Sequence, residues 1–448
     1  MNRRQFMGQT AGAAASLAIV PRHVLGGPEQ KPPSETLNIA GIGVGGQGGA
    51  DLHSVASETI VALCDVDWER AAETFKRYPN ARRYRDFRLM LEKEKDIDAV
   101  VIATPDHVHA VAAMTAIKMG KHVYVEKPLA YSIHEVRRLT EEARKAGVVT
   151  QMGNQGHAAE AMRLLKEWIE DGAIGTVRQV EAWTPHAVWP QGIDRPKETP
   201  PVPETLSWDL WLGPAPQRPY HPAYAPVTWR GWWDFGTGAL GDMGCHILDP
   251  VFYALELTPP TTVEASFSTF VPEGLTWDKK FNTESYPRAS IVRYRFPARG
   301  DKPPLELTWY DGGLMPERPS ELEAGRMMGN MFGGLLFVGD EGKMICGAHG
   351  ADGLRIIPEA KMKAYDRPAK RLPRSIGHHE EWIAACKGGP QPGSNFDYAG
   401  PLTETVLLGN IAIRAQQRIH WDPVKMKITN VPEANAYLGR DYRPGWSL

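Results

Sequence analysis

Apolar residues in the first third of the chain recur in short, evenly spaced blocks, with polar helical stretches between them. Leu37 to Ile42 is one block, followed by a glycine-rich turn and, from Ala50, a segment with helical spacing. "TIVALCDVD" is a second block and ends in Asp65. "RRYRDFRLMLEKEKDIDAVVIATP" predicts a short strand, a helix and a strand, "HVHAVAAMTAIKMG" a helix and "KHVYVEKPLA" a further strand. The amphipathic "SIHEVRRLTEEARKAG" closes at Gly147, and "VVTQMG" supplies the sixth strand. Alternation at this length predicts an α/β unit, a doubly wound parallel sheet that ends near residue 153.

The pattern then changes. Residues 155 to 175 read as a helix ending at Gly172, and "TVRQVEAWT" as the first strand of a second unit. Alternating runs such as "TVEASFSTF", "ASIVRYRF", "LELTWYD" and "GLLFVGDEGKMIC" suit a large sheet with one covered face. The Pro- and Trp-rich stretch from 185 to 235 reads as long loops over a cleft. Helices are expected from His378 to Cys386 and from Pro401 to Gln417, and "YLGRDYRPGWSL" as an extended tail. The resulting division is a leader and linker over 1–36, a first domain over 37–153 and a second over 154–448.

Composition adds exclusions. With 448 residues, 42% hydrophobic content and a formal net charge of -2, the chain has the make-up of a globular protein with two substantial cores. No basic block offers a footprint for nucleic acid. Cys64, Cys245, Cys346 and Cys386 are scattered and form no C-x-x-C, which argues against a metal site; Cys64 and Cys245 are expected to be buried thiols. At the start, Arg3-Arg4 precedes the small, apolar run "TAGAAASLAIV", the arrangement of a twin-arginine export signal. The stretch from Ala11 to Val20 is too short to span a bilayer, so a cleaved leader rather than a stable membrane anchor is expected, with the periplasm as destination; a chance Arg3-Arg4 pair in a disordered start would instead leave the protein in the cytoplasm.

Gly41, Gly43 and Gly46 form G-x-G-x-x-G between a strand and a helix, with Asp65 at the end of the next strand. In a dinucleotide site the first glycine permits the turn, the second admits the pyrophosphate and the third allows helix and strand to approach. A carboxylate at Asp65 accepts hydrogen bonds from the adenine ribose and repels a 2'-phosphate, which favours NAD over NADP.

These glycines, "ATPDHVHA" after the fourth strand, "YVEKPLA" after the fifth and "GALGDMGCHILD" further on together resemble the Gfo/Idh/MocA oxidoreductase family. The resemblance implies an N-terminal Rossmann domain and a C-terminal α+β domain with a large, open, mostly antiparallel sheet, commonly used for contacts in a homo-oligomer. It implies that Lys127 of Glu126-Lys127-Pro128 is catalytic, close to the nicotinamide and the reacting hydroxyl, and that Pro128 often follows a cis bond. A cation there favours a developing alkoxide. Asp242 and His246 share one helical face; the imidazole is suited to accept the hydroxyl proton while the carboxylate orients substrate or imidazole. On their own, Asp242 could equally be an N-cap and His246 a core histidine.

Thr104, Pro105 and His107 follow the fourth strand, where such a sheet places its ligand crevice, and are expected beside the nicotinamide with Glu126; His107 and His109 are equally able to cap a helix. Asn154 and Gln155 could bond sugar hydroxyls. Arg230 lies among Trp229, Trp232 and Trp233, whose faces suit sugar rings as well as a core. His378 and His379 have no role that spacing establishes. NAD is made in the cytoplasm, so an exported user of it must fold around it first and keep it. A retained cofactor demands self-resetting chemistry: oxidation of one sugar or polyol with reduction of another, or an NAD-dependent glycosidase that oxidises, eliminates and reduces with no net redox change. A non-catalytic sugar sensor is the third reading.

Overall fold

The structure is a computed structural model and describes residues 35–269 and 281–448. The Arg3-Arg4 leader and nearly all of the linker lie outside the described residues. Six parallel strands, β1 (Asn38–Ile42), β2 (Thr59–Cys64), β3 (Arg82–Tyr84), β4 (Ala99–Ile102), β5 (His122–Glu126) and β6 (Thr150–Gly153), pair in the order β3-β2-β1-β4-β5-β6. β4 reads AVVI and is buried throughout, as a strand covered on both faces must be. Helices α1 (Gln47–Ser54), α2 (Ala72–Arg77), α3 (Phe87–Lys93), α4 (Asp106–Lys118) and α5 (Ile133–Ala146) make the crossovers. Strand order reverses between β1 and β4, which opens a crevice at their C-terminal ends.

α1 starts at Gln47 rather than at Ala50. Gly48 and Gly49 are poor helix formers, but the site leaves room for nothing larger: a Cβ on Gly48 would lie 2.0 Å from the Gly43 carbonyl oxygen. α5 shows its limits in sequence, with a capping box between Ser132 and Glu135 and a left-handed Gly147 at its end.

The second lobe is built on a nine-stranded sheet. β7 (Val177–Trp183), β8 (Thr262–Phe267), β9 (Ser290–Phe296), β10 (Leu305–Tyr310), β11 (Gly334–Gly339), β12 (Lys343–Gly347), β13 (Arg355–Ile357), β14 (Ile419–Asp422) and β15 (Lys427–Ile428) run in the order β13-β12-β11-β7-β10-β9-β8-β14-β15. Every pairing is antiparallel except β7 with β10. In β9, Ser290, Val292, Tyr294 and Phe296 are buried while Arg295 between them is exposed, the alternation of a sheet with one covered face.

Helices α6 (Glu160–Glu170), α7 (Trp208–Leu212), α8 (Gly238–Ile247), α9 (Asp249–Leu255), α10 (Glu359–Ala364), α11 (His378–Cys386) and α12 (Phe396–Ala415) complete the lobe. α12 begins before Pro401, because Asn395 caps it by accepting from the Asp397 N–H. It lies between the lobes, against α5 and β6 on one side and α8 and β8 on the other. Leu402, Val406 and Leu408 on it are fully buried, each contributing about 1.5–3 kcal/mol. Residues 185–235 form their own aromatic cluster rather than loose loops; Trp208 stacks on Trp211 at 4.7 Å, and Tyr224 packs edge-on against Trp232 at 5.0 Å. All four cysteines are free, and Cys64, Cys245 and Cys346 are buried.

Candidate active site

One cavity of about 280 Å³ runs along the crevice and is walled by both lobes. Its floor is the glycine turn. Gly43 has φ +76, and a Cβ there would sit 2.8 Å from the Ala103 carbonyl oxygen, so only glycine keeps this face open. Gly45 and Gln47 line the cavity at the N-terminus of α1, where first-turn N–H groups and the helix dipole favour an anion. Gly41 and Gly46 do not line it. A Cβ on Gly41 would meet Val44 and Leu52, and Gly46 turns the chain into α1 at φ +66.

Asp65 lines the cavity beside the turn and holds it. Its Oδ2 accepts from the Val44 and Gly45 N–H groups at 2.8 and 3.1 Å, and its Oδ1 from the Asp67 N–H at 2.9 Å. Burial pushes the Asp65 carboxyl up to about 6, against the lowering pull of those three N–H donors. The glycine turn, the helix N-terminus and a carboxylate two-thirds committed to that turn fit a dinucleotide.

At the other end, the fifth strand of the first lobe meets α8 of the second. Lys127 Nζ donates to Asp242 Oδ1 and to the Asp242 carbonyl oxygen, each at 2.8 Å. Arg230 Nε donates to the same Oδ1 at 2.9 Å, and its guanidinium lies 4.2 Å from the Trp229 ring centre. Asp242 is 9% exposed and sits behind the two cations rather than on the cavity wall. Burial alone would raise its pKa; Lys127 and Arg230 outweigh that and hold it well below the usual carboxylate range.

α8 reaches this position because its residues are small. Gly244 faces Val406 of α12, where a Cβ would come within 2.8 Å, and Thr237 ahead of the helix donates to Asp106 at 2.6 Å in the first lobe.

His246, one turn after Asp242, lines the cavity with Lys127, Arg230 and Gln155. No hydrogen bond links it to Asp242; its Nδ1 is buried without a partner among the described residues, and its ring lies 4.7 Å from that of His349. Burial first, then the Lys127 cation, keeps the imidazole well below its ordinary pKa, so it is neutral near pH 7. Gln155 donates to Glu126 Oε1 at 2.6 Å, and Thr104 and Pro105 complete this wall. Burial, then the nearby Asp51, raises the Glu126 carboxyl well above its usual range. The Lys127–Pro128 bond is cis.

Three expected contacts fall elsewhere. His107 points away from the crevice into the aromatic cluster, its ring nitrogens against the carbonyl oxygens of Trp211 at 2.9 Å and Phe235 at 3.1 Å. Asn154 faces inward, accepting from Ser394 Oγ at 2.6 Å, because the chain turns under β6 and aims only the next residue, Gln155, at the cavity. Trp232 is core, 1% exposed, and donates to the Ala223 carbonyl; Trp229 reaches the cavity instead.

His109 is buried and joins the two crevice loops, its ring nitrogens 2.8 Å from the Thr104 and Pro128 carbonyl oxygens. Cavity residues that carried no motif include Asp67, Arg70, Phe87, Trp211 and Trp446. Among the described residues no group of three or more His, Cys, Asp or Glu converges as metal ligands, and no helix is long and apolar enough to cross a membrane.

A parallel six-stranded sheet with a glycine-turn cavity, closed by a second lobe that brings charged groups to it, defines a two-domain dinucleotide-binding oxidoreductase fold. Residues 37–154 match the oxidoreductase-family NAD-binding Rossmann fold, and residues 163–280 the C-terminal alpha/beta domain of that family, together just over half the chain. The chain belongs to the Gfo/Idh/MocA oxidoreductase family, and its first lobe is an NAD-binding Rossmann domain.

Over 253 residues it is 28% identical to a levoglucosan dehydrogenase of Pseudarthrobacter phenanthrenivorans, covering 53% of this chain and 56% of that protein. Over 140 residues it is 28% identical to a myo-inositol 2-dehydrogenase of Thermotoga maritima, covering 31% and 42% respectively. The chain thus spans about half the length of the curated relatives it matches. In structure it resembles the WlbA dehydrogenase of Bordetella pertussis solved with NADH and UDP-GlcNAcA, at a TM-score of 0.59 and 19% identity over 86% of this chain and 99% of that one. A levoglucosan dehydrogenase in complex with NADH gives 0.56 and 21%, with the same coverage.

Proposed function

We propose that this protein oxidises a hydroxyl of a sugar, polyol or glycoside, using NAD that it binds before export by the twin-arginine route and retains afterwards. The observation that carries the reading is the meeting of Lys127 with Asp242 and Arg230 across the lobes, in the cavity that also holds the glycine turn and His246. When bound, NAD supplies the hydride acceptor. The Lys127 ammonium, anchored by Asp242, is placed to orient a substrate hydroxyl and to favour its alkoxide character. The neutral His246 is able to accept the proton, and as it charges, the Asp242 carboxylate behind Lys127 offsets part of the added positive charge.

Trp229 and the stacked Arg230 give a flat, hydrogen-bonding wall of the type that suits a ring with hydroxyls on one face. The named sugar and polyol dehydrogenases among the relatives support this substrate class. An exported homo-oligomer joined through the open sheet is the assembly the reading favours.

The test is mass spectrometry of material released by denaturing purified protein, followed by a screen of sugars and glycosides for the near-ultraviolet absorbance of reduced nicotinamide. Released NAD and an accumulating keto-sugar or lactone support net oxidation. A cleaved glycoside without redox change assigns the same residues to the redox-neutral reaction, and absence of any nicotinamide together with no binding of added NAD overturns the reading.

A further inference from the structure

Residues 437–448 read as an extended tail in sequence, yet Tyr437 and Leu438 end a 3-10 helix and the residues beyond them are tied down. Arg440 pairs with Glu135 at 2.9 Å, the residue that completes the α5 capping box, and lies over the Tyr131 ring at 4.3 Å. Tyr442 donates to the same carboxylate at 2.7 Å. Arg443 is fastened to the second lobe: its N–H bonds the Pro214 carbonyl at 3.1 Å, its Nε the Gly213 carbonyl at 3.0 Å and one guanidinium nitrogen the Gln217 side chain at 2.7 Å, with Asp209 as counter-ion. The strap therefore crosses from one lobe to the other.

Its next aromatic, Trp446, is half-buried and forms part of the cavity wall. Its ring centre is 6.0 Å from that of Phe87, and the Arg88 guanidinium caps one face at 4.3 Å. Phe87 begins α3 just after β3, and Val66 and Asp65 follow β2, so Trp446 closes the cavity on the side of strands β2 and β3. In a sheet of this order the adenosine half of a dinucleotide lies on that side, the nicotinamide half toward β4 and β5.

We infer that Trp446 is a cofactor-binding residue, the wall of an adenine slot delivered by the strap, and that NAD leaves only when the strap is displaced. The inference rests on the cofactor reading above and adds the element that retains it. A flat indole backed by a guanidinium offers the remaining ring surface to a purine, and a single base–aromatic stack corresponds to roughly 10- to 100-fold in affinity. Tail residues that served only to seal the fold would not need to present an aromatic to the cavity.

The full-length protein, stripped of nicotinamide where any co-purifies, is titrated with NAD, ADP and nicotinamide mononucleotide as wild type, Trp446→Ala and Trp446→Phe. NAD dissociation is followed by exchange. Expected are a rise of roughly 10- to 100-fold in the NAD off-rate and the ADP Kd for Trp446→Ala, near-wild-type values for Trp446→Phe and unchanged nicotinamide mononucleotide binding. Arg443→Ala, which frees the strap without substituting any cavity-lining residue, is expected to raise the off-rate in the same direction, and it stands in should Trp446→Ala not fold. Wild-type ADP binding left unchanged in these variants overturns the adenine slot alone. A wild type that binds neither NAD nor ADP removes the cofactor reading and the slot with it.

Discussion

The two ends of the cavity are built on opposite principles. The Lys127 end is an ion network in which one buried carboxylate, Asp242, is shared by two cations from different elements. The Asp65 end is a matter of backbone shape: glycine positions without room for a Cβ, and a carboxylate satisfied by N–H groups. Charge at the first end is strong but depends on all partners being present; shape at the second is intolerant of a single methyl group.

Removing Asp242 should break the contrast hardest. Asp242→Ala leaves Lys127 and Arg230 facing each other around a buried vacancy, and a loss of about 3–5 kcal/mol is expected in chemical denaturation. Asp242→Asn, which keeps the volume, should lose a similar share of activity with less of the stability. Lys127→Ala should lower single-turnover hydride transfer ~10²–10⁴-fold while NAD retention stays within a few-fold of wild type. Loss of retention in that variant would mean the two ends are not separable.

At the other end, Gly48→Ala should displace the turn, since its new Cβ would overlap the Gly43 carbonyl, and abolish co-purification of NAD while Asp242 and Lys127 remain paired. Acid should act on this end through Asp65. The folded pKa of Asp65, about 6, lies above its ordinary value of 3.8, so the folded state binds the proton more tightly than the unfolded one. The Asp65 contribution to stability without cofactor is therefore fully present below pH 4 and declines as pH rises to 6. Ribose hydroxyls of bound NAD would donate to the ionised form and so reverse the preference. Release of NAD should quicken as pH falls from 7.5 to 5 and lose that dependence in Asp65→Asn, as stopped-flow exchange would report.

The smallest effect is expected at Ser132. Ser132→Ala removes one half of the α5 capping box, costing about 1 kcal/mol in thermal unfolding with both ends of the cavity unaltered.

Legibility in sequence follows the same division. The glycine turn and Asp65 are legible because local chain geometry makes them contiguous with strand ends, where period and turn residues signal position; Lys127, by itself an ordinary loop lysine, is legible only through the Glu126-Lys127-Pro128 motif. α1 is harder to place: its second and third residues are Gly48 and Gly49, the first of them packed against the Gly43 carbonyl, and local propensity argues against them. Asp242 and His246 are visible as a pair at helical spacing, but that Asp242 serves Lys127 and Arg230 and leaves His246 unbonded depends on one contact 115 residues distant and another across the turn that precedes the helix. For Asn154 and Gln155 the spacing favoured neither over the other, and a turn of the backbone decided which reached the cavity. Trp446 gives no signal, since a polar, Pro-containing segment with scattered aromatics has no periodicity and owes its position to Glu135, Asp209 and Arg88.

The bond from Lys127 to Asp242 has one more consequence. The ammonium that would polarise the substrate is also the stitch between the lobes, so any swing wide enough to admit or discharge a ligand there unfastens it. A gaping molecule is a disarmed one, and reactivity returns only with the seam drawn shut.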